Sequence, residues 1–354
     1  LSHDSVEALL MDSRGSLWIA TWRGLDKLDP ITGALTRVSE TMKGPDAGAF
    51  SNIHAMVEAR DGTFWLGTWN FGLVRFNPRT GATARFTTRG ITPGRTSPIW
   101  VTSLWEDRDG CLFAGTEHEG LLVFNPTKQT FQQHIYDHRD PGSLSSRSVA
   151  SITCDRSGIV WVGTYDGGLN KFDSKKRKFE HYTFRFEGEQ YQNHNDIWSI
   201  HEDSQGILWV GTSGKITDPG LIRFERRTGK YSRVFAASVQ SVLPNIYSIR
   251  EDAGGDLWFG SYGDGLFLRK KSGEFAAFRK ESGNNLAENY VRTISLGPSG
   301  TLWVGTRSKG VMKYDRKRNA FARLFPELTS LSAIVTLCED GEKLWVGTAQ
   351  EGLF

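Results

Sequence analysis

The chain has 354 residues, of which 38% are hydrophobic, with 43 Lys and Arg against 40 Asp and Glu and a formal net charge of +3. That balance gives no general basis for binding nucleic acid, and no apolar run reaches the roughly 20 residues a helix needs to span a bilayer. The three cysteines, Cys111, Cys154 and Cys338, form neither an even framework nor a metal-type spacing and read as small hydrophobes.

From the N-terminus onward an aromatic-centred motif recurs eight times. It reads LWIAT at Trp18, FWLGT at Trp65, LFAGT at Phe113, VWVGT at Trp161, LWVGT at Trp209, LWFGS at Trp258, and LWVGT at Trp303 and again at Trp345. Successive centres are 47, 48, 48, 48, 49, 45 and 42 residues apart. A period of that size marks one supersecondary unit copied in series, each copy burying its apolar face against the next.

The fourth copy shows the unit most clearly. Residues 148–153 are rich in β-formers, and Asp155-Arg156-Ser157-Gly158 is a turn in which Asp caps its own backbone and Gly takes a positive φ. Residues 159–164, 169–173 and 178–182 then alternate as strands with turn-rich links between them. Each copy is therefore predicted to be a four-stranded antiparallel meander, and no stretch carries a helical period. Glycine falls two places after the central aromatic in seven copies, from Gly67 to Gly347, with Ala20 in the first. Glycine inside a strand weakens it, so its recurrence implies close approach of a neighbouring sheet or indole. The motif tryptophans are predicted to pack between sheets, not to act on a substrate.

Four-stranded sheets at this period predict an all-β fold, a β-propeller of four-stranded antiparallel blades. Seven repeats are complete, whereas the eighth has two strands and the stub Gly352-Leu353-Phe354. Eight blades are favoured, because a loose motif would expose an apolar edge; a seven-bladed ring is the alternative. The whole of 1–354 is expected to be a single propeller domain. With no leader-like start at Leu1, it is expected to be a piece of a longer product.

The segments Asp140 to Val149, Cys154 to Thr164 and Gly167 to Asp173, together with His201 to Thr212, closely resemble the two-component regulator propeller repeat. The resemblance runs over essentially the whole chain. It departs at Phe113, at the insertion Ser213 to Pro219, at Gly297-Pro298 where Asp is usual, and at the short last repeat. It implies the periplasmic, extracytoplasmic sensor part of a bacterial membrane-anchored receptor. In that family the propeller is usually seven-bladed and often doubled. It precedes a small β-sandwich, a membrane span and an output such as a histidine kinase or diguanylate cyclase, and many members sense glycan fragments.

In a propeller the links between second and third strands share one face with the links between blades. The first residue of each second-to-third link is Trp22, Trp69, Glu117, Tyr165, Ser213, Tyr262, Arg307 or Ala349. The start of each first strand adds Trp100, Trp198, Tyr247 and Tyr290, with His54 nearby. Flat amphipathic rings at a concave mouth suit an oligosaccharide or other small polar ligand. Arg23, Asn70, Asp166 and Arg307 add polar groups to that rim, and Arg23, Lys215, Arg292 or Arg307 is placed to hold a carboxylate or sulfate. The candidate site is accordingly Trp22, Arg23, Trp69, Asn70, Trp100, Tyr165, Asp166, Trp198, Tyr247, Tyr262, Tyr290 and Arg307.

The same rings also suit channel-mouth packing or a protein interface, the scaffold alternative. Glu117, Glu119, Asp166, Asp218, Asp264 and Glu351 keep open a propeller glycosidase or lyase, for which a carboxylate pair at a set separation is required. No nucleophile elbow, phosphate loop or metal-binding His pair is present, so no catalytic residue, cofactor or metal is expected. Basic clusters at Lys175–Lys178, Arg226-Arg227, Lys270-Lys271 and Arg316–Arg318 fall in third-to-fourth strand turns and read as solvated charge on the opposite face. The expectation is a non-enzymatic sensor, with a homodimer plausible for a signalling receptor.

Overall fold

In the computed structural model the described residues are 1–41, 47–86, 99–107, 109–125, 127–173, 178–186, 195–213, 220–236, 241–242, 245–297, 300–324, 333–341 and 343–354. Seven four-stranded antiparallel sheets follow one another in chain order, each with its strands hydrogen-bonded in sequence order. They are the blades of an all-β propeller fold. The eighth repeat is a two-stranded sheet of Ile334–Asp340 and Lys343–Thr348. The favoured count of eight blades is thereby corrected to the alternative of seven. Beyond Thr348, Gly352 bonds Thr348, Ala349 bonds Ala333 and Phe354 bonds Val346, and among the described residues the eighth sheet has two strands. Trp345 is half-buried and its buried indole nitrogen has no partner among the described residues, whereas the other seven motif aromatics are buried.

The described helical structure is confined to single turns such as Val38–Thr41 and Lys280–Ser282. A short hairpin of Phe235–Ala236 with Ser241–Val242, unanticipated from the sequence, follows the fifth sheet. The chain gathers into two compact units. One comprises 1–162, 170–181 and 353, the other 163–169, 182–352 and 354. In the first unit the first strands Val6–Met11, Ile53–Glu58, Val101–Glu106 and Val149–Cys154 pack in succession. In the second, Ile197–Glu202, Ile246–Glu251, Val291–Leu296 and Ile334–Asp340 do the same.

Two features of the repeat explain why the sheets stack. The second strand is buried at every position in all seven blades, for example Leu17–Thr21 and Leu208–Thr212. The glycine within it makes room for the next sheet. A Cβ on Gly67 would lie 2.5 Å from Val101 Cγ1, and one on Gly260 would lie 2.7 Å from Val291 Cγ1. The turn aspartate has a second task. Asp203 Oδ1 accepts the Gln205 and Ile207 amides, each at 2.9 Å, while its Oδ2 accepts the Trp209 indole N–H at 2.8 Å. Asp12, Asp155 and Asp252 hold Trp18, Trp161 and Trp258 in the same way. Where Gly297 stands in place of that aspartate, Glu339 of the following sheet accepts the Trp303 indole N–H at 2.9 Å.

The cysteines are half-buried, and among the described residues they form no disulfide. The cluster at Lys175–Arg177 lies outside the described residues. The other basic turns are paired internally: Arg226 with Glu202 at 3.1 Å, Lys270 with Glu274 at 2.8 Å and Arg316 with Asp252 at 2.5 Å.

Candidate functional site

The link after the second strand is built by the repeated Gly-Thr. The buried Thr21 hydroxyl bonds the Gly24 carbonyl at 3.0 Å and accepts the Gly24 amide at 3.0 Å. Thr68, Thr116, Thr164, Ser261, Thr306 and Thr348 each donate likewise to the glycine that ends the link. A hydroxyl bonded to its own local backbone closes a tight loop. The residue after that hydroxyl is then pinned to the start of its own first strand by a backbone bond. Trp69 N bonds Asn52 O at 3.0 Å, Glu117 N bonds Trp100 O at 3.0 Å, Tyr262 N bonds Asn245 O at 3.0 Å and Arg307 N bonds Tyr290 O at 3.1 Å.

The first strand supplies the second row of the site through a β-bulge. Ile197 pairs with Thr212 and Ser199 with Gly211, leaving Trp198 as the extra residue. The same register shift leaves Tyr247 between Ile246 and Ser248, Arg292 between Val291 and Thr293, and Val335 between Ile334 and Thr336. In the first unit it leaves Glu7, His54 and Thr102. A bulge re-aims one side chain out of the pleat and is common beside binding sites.

In the second unit these two rows form one aromatic array. Tyr165 meets Trp198 edge-on with centroids 6.2 Å apart, Trp198 lies 4.4 Å from Tyr247, Tyr247 5.4 Å from Tyr262, and Tyr262 4.9 Å from Tyr290. Arg307 Nη1 donates to the Tyr262 hydroxyl at 2.8 Å, and its guanidinium lies 5.6 Å and 5.5 Å from the centroids of Tyr262 and Tyr290. The array borders a cavity of about 640 Å³ reached also by Arg250 and Arg292, with Ala333 and Val335 on its apolar side. Burial raises the Tyr247 pKa, with Tyr262 and Asp196 adding to the effect and Arg292 opposing it. Burial likewise raises that of Asp196; the Trp198 indole N–H opposes this without the geometry of a hydrogen bond.

In the first unit a separate stack forms. His54 lies 4.7 Å from Trp69, Trp69 5.3 Å from Trp100 with planes 14° apart, and Trp100 5.7 Å from His118. Burial lowers the His54 pKa, against the pull of Glu7 and Glu117. Trp22 is 48% exposed and stacks on His3 at 6.3 Å, outside that stack. The Arg23, Asn70 and Asp166 side chains are exposed. Lys215 and Asp218 lie outside the described residues. Of the rival carboxylates, Glu119 is buried and accepts a Gln133 amide N–H at 3.1 Å. Burial raises the Asp264 pKa against an opposing pull from Arg279. Among the described residues no cluster of three or more His, Cys, Asp or Glu side chains is disposed to hold a metal ion.

The sequence alone did not single out Arg250 or Ser248, and it did not rank Arg292 with the aromatics. The signal was present: Arg292 occupies the position of Trp198 and Tyr247, one residue after the repeated Val or Ile of the first strand.

Residues 1–23, 48–70, 143–166, 191–214 and 243–263 match the family model described as "Two component regulator propeller". The chain carries the repeats of the two-component regulator propeller family. No curated protein matches it. Among solved structures it is similar to the extracellular domain of a protein described as a hybrid two component system from B. thetaiotaomicron. The identity there is 22% and the TM-score 0.63, over 100% of this chain and 46% of the other. It is also similar to PorZ, a surface component of the type-IX secretion system of Porphyromonas gingivalis, at 19% identity and a TM-score of 0.62 over 88% and 46%. The virginiamycin B lyase of Staphylococcus aureus shares 14% identity at a TM-score of 0.59 over 85% and 93%. The chain thus spans about half the length of the first two, and identities this low speak for the fold alone.

Proposed function

We propose that this two-component regulator propeller is the ligand-binding, extracytoplasmic part of a membrane-anchored bacterial signalling receptor, and that its ligand is an oligosaccharide fragment or similar small polar molecule. The observation that carries the reading is the continuous array from Tyr165 to Tyr290 beside a cavity of about 640 Å³. That volume falls in the range of small-ligand sites, and ring faces edged by hydroxyls and guanidinium groups offer what a sugar presents in complement. The family match supports the signalling role, as does the extracellular placement of the B. thetaiotaomicron relative.

Binding, not turnover, is proposed as the role. A β-eliminating lyase built on Tyr247 would need an easily formed phenolate, whereas burial pushes that hydroxyl the other way. Ligand would act by its differential affinity for two arrangements of the receptor, a second copy of the chain being one partner through which they differ.

Calorimetry against an oligosaccharide panel, with Trp198→Ala and Tyr262→Ala beside the parent protein, tests the site. Each variant is expected to lose at least tenfold in affinity, about 1.4 kcal/mol. Unchanged affinity in both removes the cavity from the function, and product formation on long incubation replaces the receptor with an enzyme.

A further inference from the structure

We infer that the cavity selects an anionic ligand, a saccharide carrying a carboxylate or sulfate, and that Arg250, Arg292 and Arg307 together hold that group; this rests on the cavity being the ligand site. Three guanidiniums reach one cavity of about 640 Å³, and no Asp or Glu lines it. Among the described residues none of the three is paired with a carboxylate. Arg250 bonds only the Ile249 carbonyl, at 2.8 Å, and Arg307 bonds the Tyr262 hydroxyl. Several arginines elsewhere are paired with carboxylates: Arg75 with Asp61, Arg223 with Glu225, Arg226 with Glu202, Arg316 with Asp252.

The three lie on different elements. Arg250 is well along the first strand of the sixth blade, Arg292 is the bulge residue of the seventh, and Arg307 begins the seventh blade's second-to-third link. Arg250 is exposed and lines the cavity, and desolvation draws its pKa below the usual arginine value. A guanidinium without a counterion is a site for an anion, and its planar fork matches both carboxylate and sulfate oxygens. Tyr262 and Tyr290, held by Arg307 from above, leave ring faces for the sugar that carries the charge.

The test uses the purified chain and two matched pairs of probes. Trigalacturonate is compared with its methyl ester, and a 6-sulfated N-acetyllactosamine, which carries no uronate, with its desulfated form. The charged member of at least one pair is expected to bind at least tenfold tighter than its neutral counterpart. Arg292→Gln and Arg250→Gln are each expected to reduce that preference about tenfold, with thermal melting confirming that the variants fold. Which pair discriminates identifies carboxylate or sulfate. Equal binding of charged and neutral members, lost in Trp198→Ala and kept in the Arg variants, overturns the charge selection and leaves the ligand site standing. No binding by any of the four, with neutral glycans from the wider panel bound, overturns it as well. No binding by any glycan overturns both proposals.

Discussion

The turn aspartates offer a stability experiment with an internal control. Asp203 is 5% exposed, and its two oxygens serve the Gln205 and Ile207 amides and the Trp209 indole. Asp107 makes the same turn, accepting the Asp109 and Cys111 amides at 2.9 and 2.8 Å, but faces Phe113, which has no N–H to offer. Truncating either to Ala loses two local turn bonds, on the order of 1 kcal/mol each and partly recovered by water. Truncating Asp203 also strands an indole N–H on a tryptophan that is 1% exposed, worth about 1–3 kcal/mol more. Asp203→Ala should therefore cost about 3–5 kcal/mol and Asp107→Ala about 2 kcal/mol. Urea unfolding followed by both circular dichroism and fluorescence measures the difference, with coincident transitions required because repeat arrays can unfold piecemeal. A double-mutant cycle of Asp203→Ala with Trp209→Phe should return a coupling of about 1–2 kcal/mol. Equal costs at Asp203 and Asp107, or a coupling near zero, would show that the indole bond does not hold the blade.

Gly260→Ala should destabilise by about 1–3 kcal/mol, because its Cβ would stand 2.7 Å from Val291 Cγ1 and 3.3 Å from Ile294 Cδ1; Val291→Ala in the same chain should recover most of that loss in the melting temperature. Asp252 predicts an acid limb. Burial acts to raise its pKa, but hydrogen bonds from Arg316 and Trp258 outweigh burial and hold it below 3.8. Its stabilisation is thus fully present above about pH 4 and is lost as pH falls through the lower folded value. Asp252→Asn should flatten the stability curve below about pH 4, and parallel curves for the two proteins would contradict the assignment.

The fold was legible because its requirements repeat. The spacing of Trp18 through Trp303, the turn glycines and the buried second strands all demand the same meander, and the mid-strand glycine pointed correctly to close packing of the next sheet. Blade number was harder, because it depends on whether the segment after Thr348 completes a sheet, and local pattern cannot show that. The Asp203–Trp209 bond was also hidden. Asp in a tight turn has a sufficient local reason to be there, so nothing in its spacing demanded a second role. For the candidate site, the sequence placed aromatics on one face but could not divide them. The structure joins Trp198, Tyr247, Tyr262 and Tyr290 in one array and Trp69 and Trp100 in another stack, and sets Trp22 apart with His3.

The bulge explains how one scaffold separates folding from recognition. The residue before it is always Val or Ile: Val6, Ile53, Val101, Ile197, Ile246, Val291 and Ile334 are each buried to 0 or 1%. Val101, Ile246, Val291 and Ile334 fill the space left by Gly67, Gly211, Gly260 and Gly305 of the preceding sheet, so the fold dictates them. The very next residue is Glu7, His54, Thr102, Trp198, Tyr247, Arg292 or Val335. Seven different residue types at one fixed backbone position cannot all answer the same packing demand. If the position served stability alone, the apolar preference of its neighbour should extend to it. Instead the backbone delivers each side chain to the same place in its own blade and leaves its chemistry unconstrained. A binding surface assembled this way can change its ligand by substitution at the bulges without disturbing the indoles and glycines that hold the blades together.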